Sequence, residues 1–234
     1  MISNHVKRKP FYFEVKDVLI QFISAFDDII ISRYNKERQK QSNHPVRYVY
    51  SPKQRVVHDL TNKAKHITLP VVAVSIKSID YDKERVFNKI AGSYHNRKDM
   101  FLGHEMNTVS DHMAQPTPVD IEINMSILTK YQSDMDQILS NFIPYNNPYI
   151  VVSWKTPPEI LQSQQEIRSE VMWSGSMSMD YPTELSSDES YRIAADTSFT
   201  IKSWLFKEKR DEPQGNIFTI HSFFTPLSGI DVLS

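Results

Sequence analysis

Five side chains of metal-binding type fall close together in one stretch of the chain: His95, His104, Glu105, Asp111 and His112. Imidazole nitrogens and carboxylate oxygens are ligands of zinc and other divalent cations. The spacing is not that of a helical HExxH site, because HEMNT carries no second histidine. A metal-dependent hydrolase built on residues 95–112 is one reading. Side chains that are solvated, or held at an interface, account for the group more simply, since a long polar loop collects these residue types by chance. Arg97, Lys98 and Asp99 share the stretch, and the two basic residues could touch a phosphate or an acidic protein surface.

Other catalytic patterns are weaker still. The nearest approach to a nucleophile elbow is WSGSMS (173–178), which lies inside an alternating, strand-like run, so structural serines explain it better. Asp120 and Glu122 could be a carboxylate pair. They sit two residues apart on the polar side of an alternating strand, where acidic residues commonly face solvent or a partner. The absence of cysteine removes thiolate nucleophiles, thiolate-held metals and disulfides together. The five glycines are scattered, so neither a dinucleotide fingerprint nor a P-loop can be drawn. The sequence therefore implies no cofactor.

Charge and hydropathy narrow the class further. Lys and Arg number 27 against 28 for Asp and Glu, so no net basic field argues for sequence-specific nucleic-acid binding. No run of 18 apolar residues indicates a membrane span, and MISNHVKRKP is not followed by a signal-peptide core. The expectation is a soluble protein made and kept in the cytosol, with 40% hydrophobic residues sufficient for a packed core.

The elements that would position these residues follow from periodicity. Val15, Val18, Leu19, Phe22, Ile23 and Phe26 repeat with helical spacing. Residues 29–34 and 45–50 read as strands separated by the charged NKERQKQSNH, a solvated loop or hairpin tip. Ser51, Pro52 and Gln54 offer an N-cap, a first-turn proline and a capping-box partner for a short helix over 52–63. A long strand is expected over 69–82. From 86 to 117 no period is sustained, which predicts a long irregular loop.

Beyond it, Val119, Ile121, Ile123, Met125 and Ile127 alternate with polar residues as in a half-buried strand. Met135, Ile138, Leu139, Phe142 and Ile143 then take helical spacing, with Ser133 and Asp136 as a capping box and Pro144 as the stop. Residues 149–154 form another strand. Residues 171–205 suggest a long antiparallel hairpin, with Lys202 and Trp204 as its candidate interface residues. Trp154 and Trp204 suit core or interface, while Trp173 shares its strand's apolar parity and belongs in the core. GNIFTIHSFFTPL reads as a last strand before a C-terminal tail. No internal repeat or clean boundary divides the chain, so 1–234 is expected to be one α+β domain. Its expected architecture is a mixed, mainly antiparallel sheet with two principal helices on one face and long protruding strands or hairpins.

One resemblance rests on ordered motifs. In PTPVDIEINMSILTKYQSDMDQILSNFIPYNNPYIVV, Pro116 and Pro118 lead into a strand ending in Ser126, Ile127, Thr129 and Tyr131. Asp134, Gln137 and Ile138 then open a helix that finishes at Pro144 and Tyr145. HPVRYVYSPKQRVV and HITLPVVAVSIKSIDYDKERVFNK agree as well, so the likeness covers roughly the first two-thirds of the chain. This order resembles the tail completion and sheath stabiliser proteins of contractile-tailed, T-even-type bacteriophages.

The resemblance implies a non-enzymatic virion protein forming a hexameric ring at the head-proximal end of the tail. Such a ring ends sheath and tube growth and joins the tail to the neck. The implied partners are other copies of the chain, the tail sheath protein, the tail tube or its terminator, and neck proteins. Assembly would take place in the host cytoplasm. Under that reading the 86–117 loop lies at a ring- or tube-facing surface, and the 171–205 hairpin contacts neighbours or sheath. A tail-tube terminator or other head–tail connector is the alternative within the same class.

Overall fold

The computed structural model describes residues 11–35, 37, 39–62, 68–86, 92–101, 104–161, 164–181 and 192–207. The elements are α1 (Glu14–Ser24), β1 (Ile30–Tyr34), β2 (Lys40–Pro45), β3 (Arg47–Tyr50), α2 (Lys53–Asn62), β4 (Val71–Tyr81) and β5 (Gly92–Phe101). They continue with β6 (His104–Ala114), β7 (Thr117–Thr129), α3 (Gln132–Tyr145), β8 (Ile150–Lys155), β9 (Glu166–Asp180) and β10 (Ile193–Leu205).

A six-stranded sheet in the order β3-β4-β7-β10-β9-β8 organises the fold, and only its β3–β4 pair is parallel. The alternation in β7 places Val119, Ile121, Ile123, Met125 and Ile127 on one face, all buried. β10 adds Ile193, Ala195, Phe199 and Ile201 to the same face, and β4 adds Val72 and Val74. α1 and α3 close this face with Val18, Leu19 and Phe22 from the first helix and Met135, Ile138 and Phe142 from the second. At its centre the Phe199 ring lies 5.2 Å from that of Phe22 and 5.8 Å from that of Phe142, both edge-on. Edge-to-face rings add a directional preference to burial that stabilises by roughly 1.5–3 kcal/mol per large apolar side chain. The α+β architecture and the pair of helices on one face agree with the sequence-based expectation.

The short helix α2 packs on the opposite face, where Val56 meets Val71, Ala73, Leu128 and Ala194. That second, smaller cluster covers only one end of the sheet.

Several local expectations are corrected. Half of NKERQKQSNH is strand: β2 pairs antiparallel with β1 as a separate two-stranded sheet, and the turn lies between Tyr34 and Lys40. The irregular loop expected over 86–117 is largely a hairpin, β5 with β6, which forms a third sheet. A two-stranded ladder is held by backbone hydrogen bonds and need leave no apolar period in the sequence. Neither capping box forms. α3 starts with Tyr131 at its N-cap position and no side-chain cap, while Asp136 accepts a bond from Gln132. The Ser51 hydroxyl before α2 is buried with no hydrogen-bond partner. The residues expected to form a last strand and a C-terminal tail lie outside the described ones.

Candidate functional site

The strands that bury one face of the sheet carry polar side chains on the other. Along β7 these are Asp120, Glu122, Asn124 and Ser126; along β10 they are Asp196, Ser198, Thr200 and Lys202. Strand alternation imposes this division. Since α2 covers only one end, the remainder forms an open polar floor.

Two charged groups organise that floor. Near α2, Lys53 reaches down to Asp196, Nζ to Oδ2 2.6 Å, and Ser126 donates its hydroxyl to the other oxygen of the same carboxylate. Beside this pair lies a cavity of about 560 Å³, lined in part by Lys53, Asn124, Ser126, Ser174, Ser176 and Asp196. Its chemistry is hydroxyl and amide hydrogen bonding. Gly175, at φ 77°, sits in a bulge where β9 carries extra residues opposite Ser198. Without a Cβ it takes this left-handed conformation freely, and nothing lies within 4 Å of where a Cβ would be. The bulge is tied by Thr197, whose hydroxyl donates to the Ser176 carbonyl at 2.7 Å and accepts from the Trp173 indole N–H at 2.6 Å. WSGSMS is therefore a sheet irregularity and not a nucleophile elbow.

At the other end Arg85 acts as a staple. Its guanidinium donates to Asp82 Oδ2 (2.6 Å), Asp120 Oδ1 (2.8 Å), the Val119 carbonyl (2.7 Å) and the Ser203 carbonyl (3.3 Å), and it lies over the Trp204 ring. The Arg85 hydrogen bond, with backbone N–H groups of Glu84 and Arg85, holds the Asp82 carboxyl below the ordinary carboxylate range. This fixes the turn after β4 against the ends of β7 and β10.

The candidate residues divide accordingly. Asp120 and Trp204 are brought together through Arg85, and Lys202 stands opposite Asp120 in the β7–β10 register. Glu122 instead pairs with Lys77 and accepts a weaker bond from Ser78. Two carboxylates with separate cationic partners are not a catalytic pair. His95, Arg97, Lys98, Asp99, His104, Glu105, Asp111 and His112 lie on the β5–β6 hairpin, where the backbone register sets His95 opposite Asp111 and His104 opposite Phe101. Their side chains lie outside what is described, and among the described residues no group of His, Asp and Glu could hold a metal. Trp154 is buried and donates to Ser169 Oγ at 3.0 Å, whereas Trp173 is half-buried against the core.

Sequence reasoning missed Arg85, Lys53 and Asp196, which are separated by up to 143 positions in the contacts they make. The one available signal was a charged Asp196 inside an otherwise apolar and small run, IAADTSF.

Among the described residues the sheet also has open edges. β3 pairs with β4 only over Val71–Val74, so among the described residues no strand flanks that side of 75–81. Ile79 and Tyr81 are exposed there. On the far side, among the described residues, β8 pairs with β9 alone, and 172–180 of β9 runs on beyond β8.

Against known proteins, a family model described as T4-like virus Myoviridae tail sheath stabiliser matches residues 11–228. No curated protein matches the chain.

Proposed function

The chain belongs to the T4-like virus Myoviridae tail sheath stabiliser family, and from that premise we propose that it forms a closed hexameric ring ending sheath and tube growth and joining the tail to the neck. The family role is that of a structural, virion-associated tail protein that works with tail sheath components. What supports the finer reading is the extent of the match, which takes in every described element.

The geometry supplies surfaces of the kind required. A closed ring needs two different, complementary patches on each copy, and unlike partners above and below need others. Among the described residues the sheet has one open edge at 75–81 and another at β8 and 172–180 of β9, on opposite sides. An open edge can add a strand from the last sheath subunits and thereby stop their polymerisation without catalysis. The β5–β6 hairpin, a sheet of its own, is assigned to a ring- or tube-facing surface, and assembly takes place in the host cytoplasm before the virion is complete.

Native mass spectrometry of the purified protein, with negative-stain images of the same sample, tests the ring. A hexamer supports it. A monomer that forms a terminal ring only when isolated sheathed tails are added also supports it; a monomer that leaves those tails unchanged overturns it. Replacing residues 94–112 by a short turn is expected to preserve the thermal transition and abolish ring or tail assembly. Unimpaired assembly would remove the hairpin from the interface.

A further inference from the structure

We propose that the groove between the C-terminal ends of α1 and α3 is an arginine-accepting docking site, filled by Arg47 and Arg55 of a second copy of the chain. This deepens the ring reading, on which it rests, by naming the two surfaces that meet between neighbours.

The groove, about 360 Å³, is lined in part by Phe26, Asp28, Ile30, Asn141, Phe142 and Tyr145. Phe26 and Phe142 are buried with their rings stacked at 5.2 Å, and the exposed Tyr145 ring meets Phe26 edge-on at 5.9 Å. Against these aromatic walls the site gathers negative charge. α1 and α3 both end here, and neither has a basic residue in its last turn. The carbonyl end of a helix carries the negative pole of its dipole and favours a cation. Asp27 and Asp28 follow α1, exposed and without an ion pair among the described residues. The Tyr48 hydroxyl donates to the Phe26 carbonyl at 2.6 Å; burial, then the nearby Asp28 and Asp27 carboxylates, holds its proton well above the ordinary phenol range. A guanidinium answers every part of this site, because it stacks on an aromatic face, forks onto a carboxylate and is more weakly hydrated than an ammonium.

The chain carries matching charges where it cannot use them itself. Of the arginines whose side chains are described, Arg33 is held by Asp134, Arg85 by Asp82 and Asp120, and Arg168 by Glu166, while Arg192 donates to Thr61. Arg47 and Arg55 remain exposed and without an ion pair among the described residues. Along β3, Tyr48 packs on the α1–α3 side of the sheet and Val49 joins the cluster under α2. Strand alternation puts Arg47 on the side of Val49, and Arg55 stands in the first turn of α2. Within one chain the sheet therefore separates the two arginines from the groove. Between two copies they can meet, one surface against a different one, which is the heterologous contact that ring closure requires.

Two full-length double variants test the pairing: Asp27→Lys with Asp28→Lys in the groove, and Arg47→Glu with Arg55→Glu on the α2 side. All four side chains are exposed, so both proteins should keep the native thermal transition. Assembly is followed by mass photometry, or on isolated sheathed tails if the native chain forms its ring only there. Each variant alone brings like charges together at every contact and should assemble at least about tenfold more weakly. Mixed in equal amounts, the two place opposite charges at every contact of an alternating ring, and assembly should return. Either variant assembling like the native chain, or a mixture that stays unassembled, overturns the docking and leaves the ring reading standing. A native chain that assembles in neither setting overturns both. The milder Asp28→Asn and Arg55→Gln serve if a charge reversal disturbs folding: combined, they should weaken assembly no more than either alone, and additive losses overturn the pairing.

Discussion

The two faces of the six-stranded sheet are made by the same strands and meet opposite fates. One face is dry: residues of β4, β7 and β10 pack against α1 and α3 around four phenylalanines. The other is mostly wet, with a small apolar cluster under α2 and then hydroxyls, amides and ion pairs open to solvent. Cohesion of the fold resides in the first face. The second costs little to alter and is available for recognition, which suits a structural protein whose partners are other proteins.

Substitutions should separate the faces by size of effect. Phe199→Ala, on the dry face of a central strand, is expected to cost about 3–5 kcal/mol in urea unfolding; a loss below about 1 kcal/mol would mean that this face is not the core. Arg85→Ala, at the rim of the wet face, should cost about 2 kcal/mol through lost charge-assisted hydrogen bonds to carbonyls and to Asp120. A comparable loss from Arg85→Lys would show that the forked geometry matters beyond the charge. Lys53→Met removes a partly exposed ion pair, so at most about 1 kcal/mol is expected. Ser198→Ala, on the open floor, should fall within about 0.5 kcal/mol.

Acid titration sharpens the same contrast. Asp82 has a folded-state pKa below its ordinary value, so its contribution is present above the ordinary carboxylate range and is lost as pH falls through the depressed value. The unfolding midpoint of the native protein should decline across that acidic window. In Arg85→Ala this part of the decline should disappear, and an identical acid limb in both proteins would detach the effect from the staple.

Glu14 is expected to act in the opposite sense. Burial raises its pKa although the Phe206 N–H partly offsets this, so its contribution is present below the ordinary value and is lost as pH rises through the folded one. Opposite slopes from these two carboxylates follow from their surroundings, a cation in one case and desolvation in the other.

Strong periodicity made the dry face legible in advance. Val119 to Ile127, and Val15 to Phe26, announce a strand and a helix because each side chain must meet a core at a fixed angular interval. The order of such segments also sufficed for the resemblance to the sheath stabilisers, which the match over 11–228 bears out. The hairpin β5–β6 was not legible, because a ladder of backbone hydrogen bonds needs no apolar alternation. The capping boxes over Ser51 and Ser133 were over-read: a cap motif marks a residue able to bond the helix end, while the approach of the chain decides whether it does.

By itself, then, the amino-acid sequence determined the α+β class, the positions of the main helices and strands, and the alternation that divides dry face from wet. Tertiary structure alone decided that Arg85 meets Asp120 and Trp204, that Lys53 meets Asp196, and that among the described residues the sheet keeps open edges at β4 and β8. The reason is physical. Periodicity is written into neighbouring residues, whereas an ion pair across 143 positions, or an edge without a neighbour, follows from which strands come to lie side by side.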